Sequence, residues 1–433
     1  MASYNVFDGI WVAGVGAAAL AGIGFTVPVF MIVNGITAGI GVGATSLISR
    51  YIGARNKENA DNAATSSLIL LIIIGVIVTI LMLLVQKQVL QLLGASGQAL
   101  EEALIYNTIS FAGIIIFFLS SGASGILRGE GDMDRATIVM AISAIANILL
   151  DPIFIYILKW GVAGAAIASL LSSLFSAIVI MYWLLIKKDT FVNISLKNFK
   201  FRKNIIKDIL EVGIPASFEM IVMALSVSAF TIIISTIASN NGVAVYSSTM
   251  RLIMFAIIPI MAIATTVVTV SGSAFGAKRM DYVKRSLNYG IKLGSIIGLI
   301  MTILFAIFAS YIAIIFTYSG GTGFLRGDII SALQILSLTF VLTPLGMCSG
   351  RTYQALGKGT TSLIFTILRE IVLALPFTYL LGITMGYGLI GVWFGIAIGR
   401  GLAGIINYIF AIHTINKVDK KLKTENPSTI QTT

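Results

Sequence analysis

An all-α polytopic membrane protein is the fold class this sequence predicts, with about twelve transmembrane helices in two pseudo-symmetric six-helix bundles and a truncated first helix. Three observations carry that expectation: charge is scarce, apolar runs are long, and the basic residues alternate between loops. Hydrophobic residues make up 57% of the 433 and charged residues 11%, with a mean hydropathy of +0.98. A soluble chain carries about 25% charged residues to cover its surface. Runs such as Ser67–Val85 and Ile291–Phe316 match the roughly 20 residues that cross a hydrocarbon core of about 30 Å. Every backbone group inside that slab must be bonded internally, so long apolar runs are helices. The strand alternation of an outer-membrane barrel is absent.

Apolar runs between turn and charge clusters place spans at 1–18, 24–48, 64–86, 103–126, 135–158, 161–186, 209–237, 243–271, 288–316, 327–350, 361–383 and 388–415. With these spans, 22 of the 29 Lys and Arg residues fall on one side and only Lys87, Lys159 and Arg326 on the other. Arg251, Lys292, Arg369 and Arg400 lie within spans. The positive-inside bias makes the basic side cytoplasmic, so both termini are expected there and the protein is expected in the plasma membrane. The formal charge of +11 therefore reflects orientation in a bilayer and implies no nucleic-acid partner. The first cation is Arg50, so no basic region of a signal peptide precedes the opening apolar segment. The single cysteine, Cys348, allows no disulfide within the chain and suggests no zinc site.

The longest and most basic loop, Lys187 to Lys207, falls near the middle. It divides the chain into a first lobe at 1–186, a cytoplasmic linker at 187–208, a second lobe at 209–415 and a cytoplasmic tail at 416–433. The lobes read as parallel repeats. Arg50-Tyr-Ile-Gly53-Ala54-Arg55 recurs as Ser273-Ala-Phe-Gly276-Ala277-Lys278, and Leu127-Arg-Gly-Glu-Gly131-Asp resembles Tyr353-Gln-Ala-Leu-Gly357-Lys. Gly161-x-x-Gly164 recurs as Gly388-x-x-Gly391 at an offset of 227 residues. The repeat places the counterpart of Gly213-Ile-Pro215 before residue 1, so the first part of span one is expected to be missing from this sequence.

Ionisable groups inside a span are costly and need a reason. Asp8 lies among Val6, Phe7, Ile10 and Trp11, and Asp151 follows Ile148-Leu-Leu150. Asn147 stands four residues before Asp151, on the same helix face. Burial disfavours a carboxylate's charge, and a second carboxylate nearby does so further, so such a pair can take a proton on one side and release it on the other. The same oxygens, from Asp8, Asn147 and Asp151, would equally suit Na⁺. The blander readings are a helix-end carboxylate beside Pro152 and, for Asp8, a solvated residue at a frayed terminus. In the second half Glu219, Arg251, Arg369, Glu370 and Arg400 are expected mainly to pair with one another. Glu219, four residues past Pro215 and near an expected bend, is the candidate for a second cation or drug contact.

Other features read as structure. Gly357-Lys-Gly359-Thr360 lacks the earlier glycine of a phosphate loop and fits a cytoplasmic turn. Gly39, Gly41 and Gly43 read as close helix packing. His413 is expected at the interface, and Glu130, Asp132 and Asp134 in a solvated loop. No catalytic triad emerges, so an enzyme is not expected.

Tyr4-Asn5-Val6-Phe7-Asp8-Gly-Ile-Trp11, Gly41-Val-Gly43-Ala-Thr45-Ser46 with Arg50-x-x-Gly53-Ala54, Leu127-Arg128-Gly129-x-Gly131-Asp132, and Asn147-x-x-x-Asp151-Pro152 resemble the MATE (multidrug and toxic compound extrusion) transporters of archaea and bacteria. The resemblance continues through Gly213-Ile-Pro215 and Gly357-Lys-Gly359 to about residue 415. It implies two six-helix bundles, a central cavity, and efflux driven by H⁺ or Na⁺ with no other cofactor. It also implies a first-half site that joins Asp8, Asn147 and Asp151 to Tyr106 and Ser169. The missing start departs from the family, whose members usually carry a proline there that lets helix one bend. The expected function is a secondary active exporter of small organic, cationic compounds, monomeric and working by alternating access. A lipid-linked glycan flippase of the same superfamily, with Arg251, Arg369 and Arg400 meeting a pyrophosphate, is the alternative within transport. A non-transporting receptor or scaffold is the alternative outside it.

Overall fold

The computed structural model describes residues 11–12, 14–187, 189–195, 199–317 and 323–425. Its elements are α-helical apart from 3₁₀ and π turns: α1 (Ala17–Gly53), α2 (Lys57–Leu92), α3 (Gly97–Ala112), α4 (Ile114–Glu130), α5 (Met133–Ile157), α6 (Gly161–Lys187), α7 (Lys203–Gly276), α8 (Met280–Thr317), α9 (Gly323–Ser337), α10 (Thr339–Ala355), α11 (Gly359–Thr384) and α12 (Gly388–Glu425). Among the described residues eight helices are long and apolar enough to cross a membrane, or up to ten if each bent pair counts as one span. Two expected spans are bent. The run 103–126 divides into α3 and α4 at 60°, and 327–350 into α9 and α10 at 47°. Span one falls mostly outside the described residues, and the turn after it lies at 14–16, earlier than expected, with helix α1 beginning at Ala17.

α7 runs 74 residues, which as one rod would span about 110 Å at 1.5 Å per residue. It is two spans joined without a loop. The backbone leaves helical angles at Ala238 and Ser239, where Ser239 takes φ +50. The break falls between the two expected spans. No such break occurs at Pro215, where a bend was expected, because proline's fixed φ is itself helical.

The chain separates into two compact units, Met1–Ser217 and Phe218–Thr433. The boundary lies inside α7, so the first four turns of that helix pack with the first unit. The reason is steric. A Cβ on Gly39 would lie 2.3 Å from the Gly213 carbonyl oxygen, and one on Gly43 2.2 Å from that of Ile209. Only glycine lets α1 and α7 approach so closely. α1 meets α4 in the same way, with a Cβ on Gly125 2.4 Å from the Gly41 carbonyl oxygen. Thr45 completes that contact by donating to the Gly125 carbonyl at 2.7 Å. Gly125→Val is expected to lower stability by about 1–3 kcal/mol through overpacking. Gly24, with nothing within 4 Å of its Cβ position, accepts alanine at no cost. Thermal melts of both purified variants check this.

In each unit the basic turns collect at one end. In the first, Lys57 pairs with Asp61 at 2.6 Å and donates to the Phe191 carbonyl, while Arg135 reaches Asp189 at 2.8 Å. In the second, Met280, Val283 and Leu287 of α8 share a buried cluster with Tyr353, Leu356 and Ile415. Elsewhere large apolar side chains face outward, as a bilayer requires: Leu84, Ile157 and Ile186 are 71, 72 and 71% exposed.

The repeats share backbone geometry. Gly131 and Gly357 adopt φ +93 and +76, a left-handed cap that glycine takes without a Cβ clash. The next amides bond back alike, Asp132 to the Leu127 carbonyl at 2.9 Å and Lys358 to that of Tyr353 at 2.8 Å. Arg55 and Lys278 match at φ +56 and +59. A Cβ on Gly164 would meet the Phe154 carbonyl oxygen at 2.6 Å, and one on Gly391 that of Leu381 at 2.3 Å.

Candidate ion-coupling site

α5 carries the two polar residues that the sequence singles out. Asn147 and Asp151 are both 0% exposed, so neither faces lipid or water. Asn147 donates its amide to Asp151 Oδ1 at 3.1 Å and to Ser169 Oγ of α6 at 3.2 Å. With the NH₂ group turned to those two acceptors, Asn147 Oδ1 is left buried with no hydrogen-bond partner. That orientation is the one a carboxylate neighbour dictates, since the reverse would set two oxygens against each other. Among the described residues this gathers oxygen atoms of Asn147, Asp151 and Ser169 in one hydrogen-bonded cluster. It suits a proton, or a hard cation such as Na⁺ that prefers oxygen ligands. Among the described residues no three His, Cys, Asp or Glu side chains gather to hold a metal ion.

The backbone around this site is irregular. Pro152 ends the regular α5 turns, and Ile153–Ile157 form a π turn closed by the Leu158 amide on the Ile153 carbonyl at 2.9 Å. Such turns arise where the i→i−4 ladder is interrupted. This one carries Tyr156, whose hydroxyl donates to the Trp11 carbonyl and whose ring meets the Trp11 ring edge-on at 6.1 Å. Val12 beside it is fully buried, in one cluster with Tyr106, Ile155, Ala165 and Ala166. Chain from before α1, α3, α5 and α6 therefore converge there.

Of the expected site residues, the structure brings Asn147, Asp151 and Ser169 into hydrogen-bonding contact. Tyr106 lies in the adjoining cluster, buried and edge-on to Phe30 at 5.9 Å. Asp8 lies outside the described residues. Asn107 was not anticipated. It is 0% exposed on α3, and neither atom of its side-chain amide has a hydrogen-bond partner. An intramembrane asparagine beside Tyr106 was the available signal. The site has no second copy: at the repeat offset of 227 residues, Ala374 and Thr378 stand where Asn147 and Asp151 do.

The second unit uses its charges differently. Glu370, 2% exposed within a π turn of α11, is held by Arg369 and Arg400, each at 2.9 Å. Mutual pairing is thus found for three of the five charged residues. Arg251 is exposed. Glu219 is half-buried and accepts from Gln354 Nε2 at 3.2 and 3.3 Å. Gln354 also takes a bond from Arg351 at 2.8 Å, close to the α10–α11 turn. Glu130 departs from the solvated loop expected of it: its Oε1 is buried, because chain from the linker folds over it.

The comparisons with known proteins agree with this architecture. The MatE family model matches residues 1–153 and 215–380. The multidrug export protein MepA of Staphylococcus aureus is 26% identical over 392 residues, covering 89% of this chain and 84% of the relative. A solved structure described as the outward-facing conformation of a multidrug resistance MATE family transporter of the MOP superfamily superposes with a TM-score of 0.94 at 42% identity, covering 97% of this chain and 93% of that one. A MOP superfamily transporter from Pyrococcus furiosus superposes at 0.91 with 41% identity, covering 95% and 91%. Its binding pocket is described as having reverse polarity, suggesting a different function. A buried Asn147–Asp151–Ser169 cluster within duplicated helical units, matched along nearly its whole length by these transporters, is what this sequence folds into: the chain belongs to the MatE family of MATE transporters.

Proposed function

We propose that this protein is a secondary active exporter of small organic compounds, cations foremost, driven by H⁺ or Na⁺ antiport in the cell membrane. The reading rests on one observation above others: a fully buried carboxylate, Asp151, shares its helix face with an asparagine whose oxygen has no partner. An ionisable carboxyl buried inside a span is costly and marks a place where a proton or cation can bind for part of the cycle. In this reading Asp8, Asn147, Asp151, Tyr106 and Ser169 form the coupling site. Glu219 is a subsidiary contact near the basic end. The lobes are 1–186 and 209–415, both termini are cytoplasmic, and the protein works as a monomer. Multidrug relatives such as MepA support the substrate class. The irregular α5 end and the chain that it grips at Trp11 supply an element able to rearrange with ion occupancy.

The Pyrococcus furiosus relative, with its reversed pocket polarity, favours a second reading in which the substrate is an anionic lipid-linked glycan and exposed Arg251 contacts it. The two separate in proteoliposomes loaded with a fluorescent organic cation and given an imposed H⁺ or Na⁺ gradient. Gradient-dependent loss of the cation supports the exporter. No cation flux under either gradient, with translocation of a pyrophosphate-linked lipid, replaces it by the flippase.

A further inference from the structure

Glu130 is the last residue of α4, at the basic end of the first unit and beyond the expected span 103–126. Its Oε2 accepts the Val192 amide at 3.0 Å, and its Oε1 is sealed with no hydrogen-bond partner. Val192 is 0% and Ile194 7% exposed. They anchor the segment 189–195, which follows α6 and leads toward α7. Other groups tie that segment down with their charges already matched. Asp61 accepts from the Asn193 amide at 2.8 Å and pairs with Lys57, whose ammonium also lies 5.1 Å from the Phe191 ring centre. Thr190 donates to the Val192 carbonyl at 3.0 Å. Of the cations near Glu130 in sequence, Arg128 donates to Ser124 Oγ at 2.8 Å, and Arg135 is taken by Asp132 at 3.4 Å and Asp189 at 2.8 Å. Lys187 takes Asp189 as well, at 2.7 Å.

Among the described residues Glu130 therefore sits beside matched ion pairs and forms no salt bridge itself. Burial pushes its carboxyl up to about 7 and Asp132 adds to that, against the Val192 and Phe191 backbone and Arg135. Asp189, with Lys187 and Arg135 beside it, is held below the usual carboxylate range. The repeat supplies an internal control. Leu356 occupies the equivalent position in the second unit, 5% exposed, before the same left-handed glycine turn. The turn forms with leucine, so folding alone does not require an acid at this position.

We infer that Glu130 is a second proton-binding site, separate from the coupling cluster, whose protonation holds the segment 189–195 against α2, α4 and α5 and whose ionisation favours release of that segment. The direction follows from linkage. The docked state binds the proton more tightly than a released state in which the carboxyl is solvated, so docking is strengthened as pH falls through the docked value. A change from 4.5 to about 7 bounds the bias at about 300-fold, tenfold per pKa unit.

The test is a spin label at Asn193→Cys, an exposed position, on the full chain in nanodiscs, with Cys348 replaced by alanine. Label mobility is recorded from pH 5.5 to 8.5. The expected result is a mobile fraction that grows with pH about a midpoint near 7. Glu130→Gln and Glu130→Leu should abolish that growth and leave the label immobile throughout. A flat profile in the parent overturns the inference, and so does an unchanged midpoint in Glu130→Gln. If Glu130→Gln is mobile at every pH, the ionised carboxylate is what holds the segment, and the inference is likewise overturned. The readout needs no transport, so its failure leaves the exporter reading untouched.

Discussion

Asp151→Asn is expected to bring ion-driven efflux down to the level of empty proteoliposomes while the protein remains folded. The substitution keeps the shape and one oxygen of a side chain that is 0% exposed. The Asn147 amide retains an acceptor at the position now bonded at 3.1 Å. What is lost is charge. An amide cannot take up or release a proton in this pH range, and it offers a cation one neutral oxygen in place of a carboxylate. The thermal midpoint should change little, and gradient-free counterflow of substrate should persist, because the substrate path is not itself removed. Asn147→Ala should weaken coupling less severely, since Asp151 stays ionisable but loses a donor and the nearby unpaired oxygen. Normal gradient-driven efflux by Asp151→Asn would remove this cluster from the mechanism.

The second large effect is on stability. Glu370→Ala is expected to destabilise the second unit by about 3–5 kcal/mol, the usual consequence of breaking a buried ion pair from one side. Glu370 serves two guanidinium groups, Arg369 and Arg400, so its removal leaves two partly buried cations in need of a partner. Replacing Arg369, Glu370 and Arg400 together by apolar residues of similar volume should recover much of the loss, because no charge of the triad is then left desolvated without a partner. Thermal melts and size-exclusion profiles in detergent measure both. A Glu370→Ala protein with unchanged melting would mean that water or lipid headgroups already satisfy the arginines.

Much of this architecture was legible from residue types. Membrane spans follow from apolar length, and the alternation of Lys and Arg placed Lys57, Arg135 and Lys187 on one side, where Arg135 and Lys187 share Asp189 and Lys57 meets Phe191. The glycines of the repeat were informative because each is fixed by backbone geometry: no other residue takes the turns at Gly131 and Gly357 so cheaply. Asn147 with Asp151 was legible because four-residue spacing defines a helix face, and Ser169 through family resemblance. What escaped were effects of distant packing. The bend between α3 and α4 lies at Gly113, where a Cβ would come within 2.0 Å of Leu170, a residue 57 positions later. Glu130 read as solvated because its neighbours Asp132 and Asp134 are polar, whereas its burial comes from Val192, 62 residues on. Asn107 was hidden by the more recognisable Tyr106 beside it.

The presence of Ala374 and Thr378 where the first repeat has Asn147 and Asp151 bears on stoichiometry. Had duplication preserved both clusters, one turnover would carry two independent ion loads, and the membrane potential would act on each. Under the proposed coupling at the Asn147–Asp151 cluster, a cycle exchanges only what that single cluster can hold. The gradient of substrate that the protein can sustain is then capped by one site's worth of ion-motive force. Under that proposal the second lobe gives up a matching cluster, and its Arg369, Glu370 and Arg400 pair with one another instead.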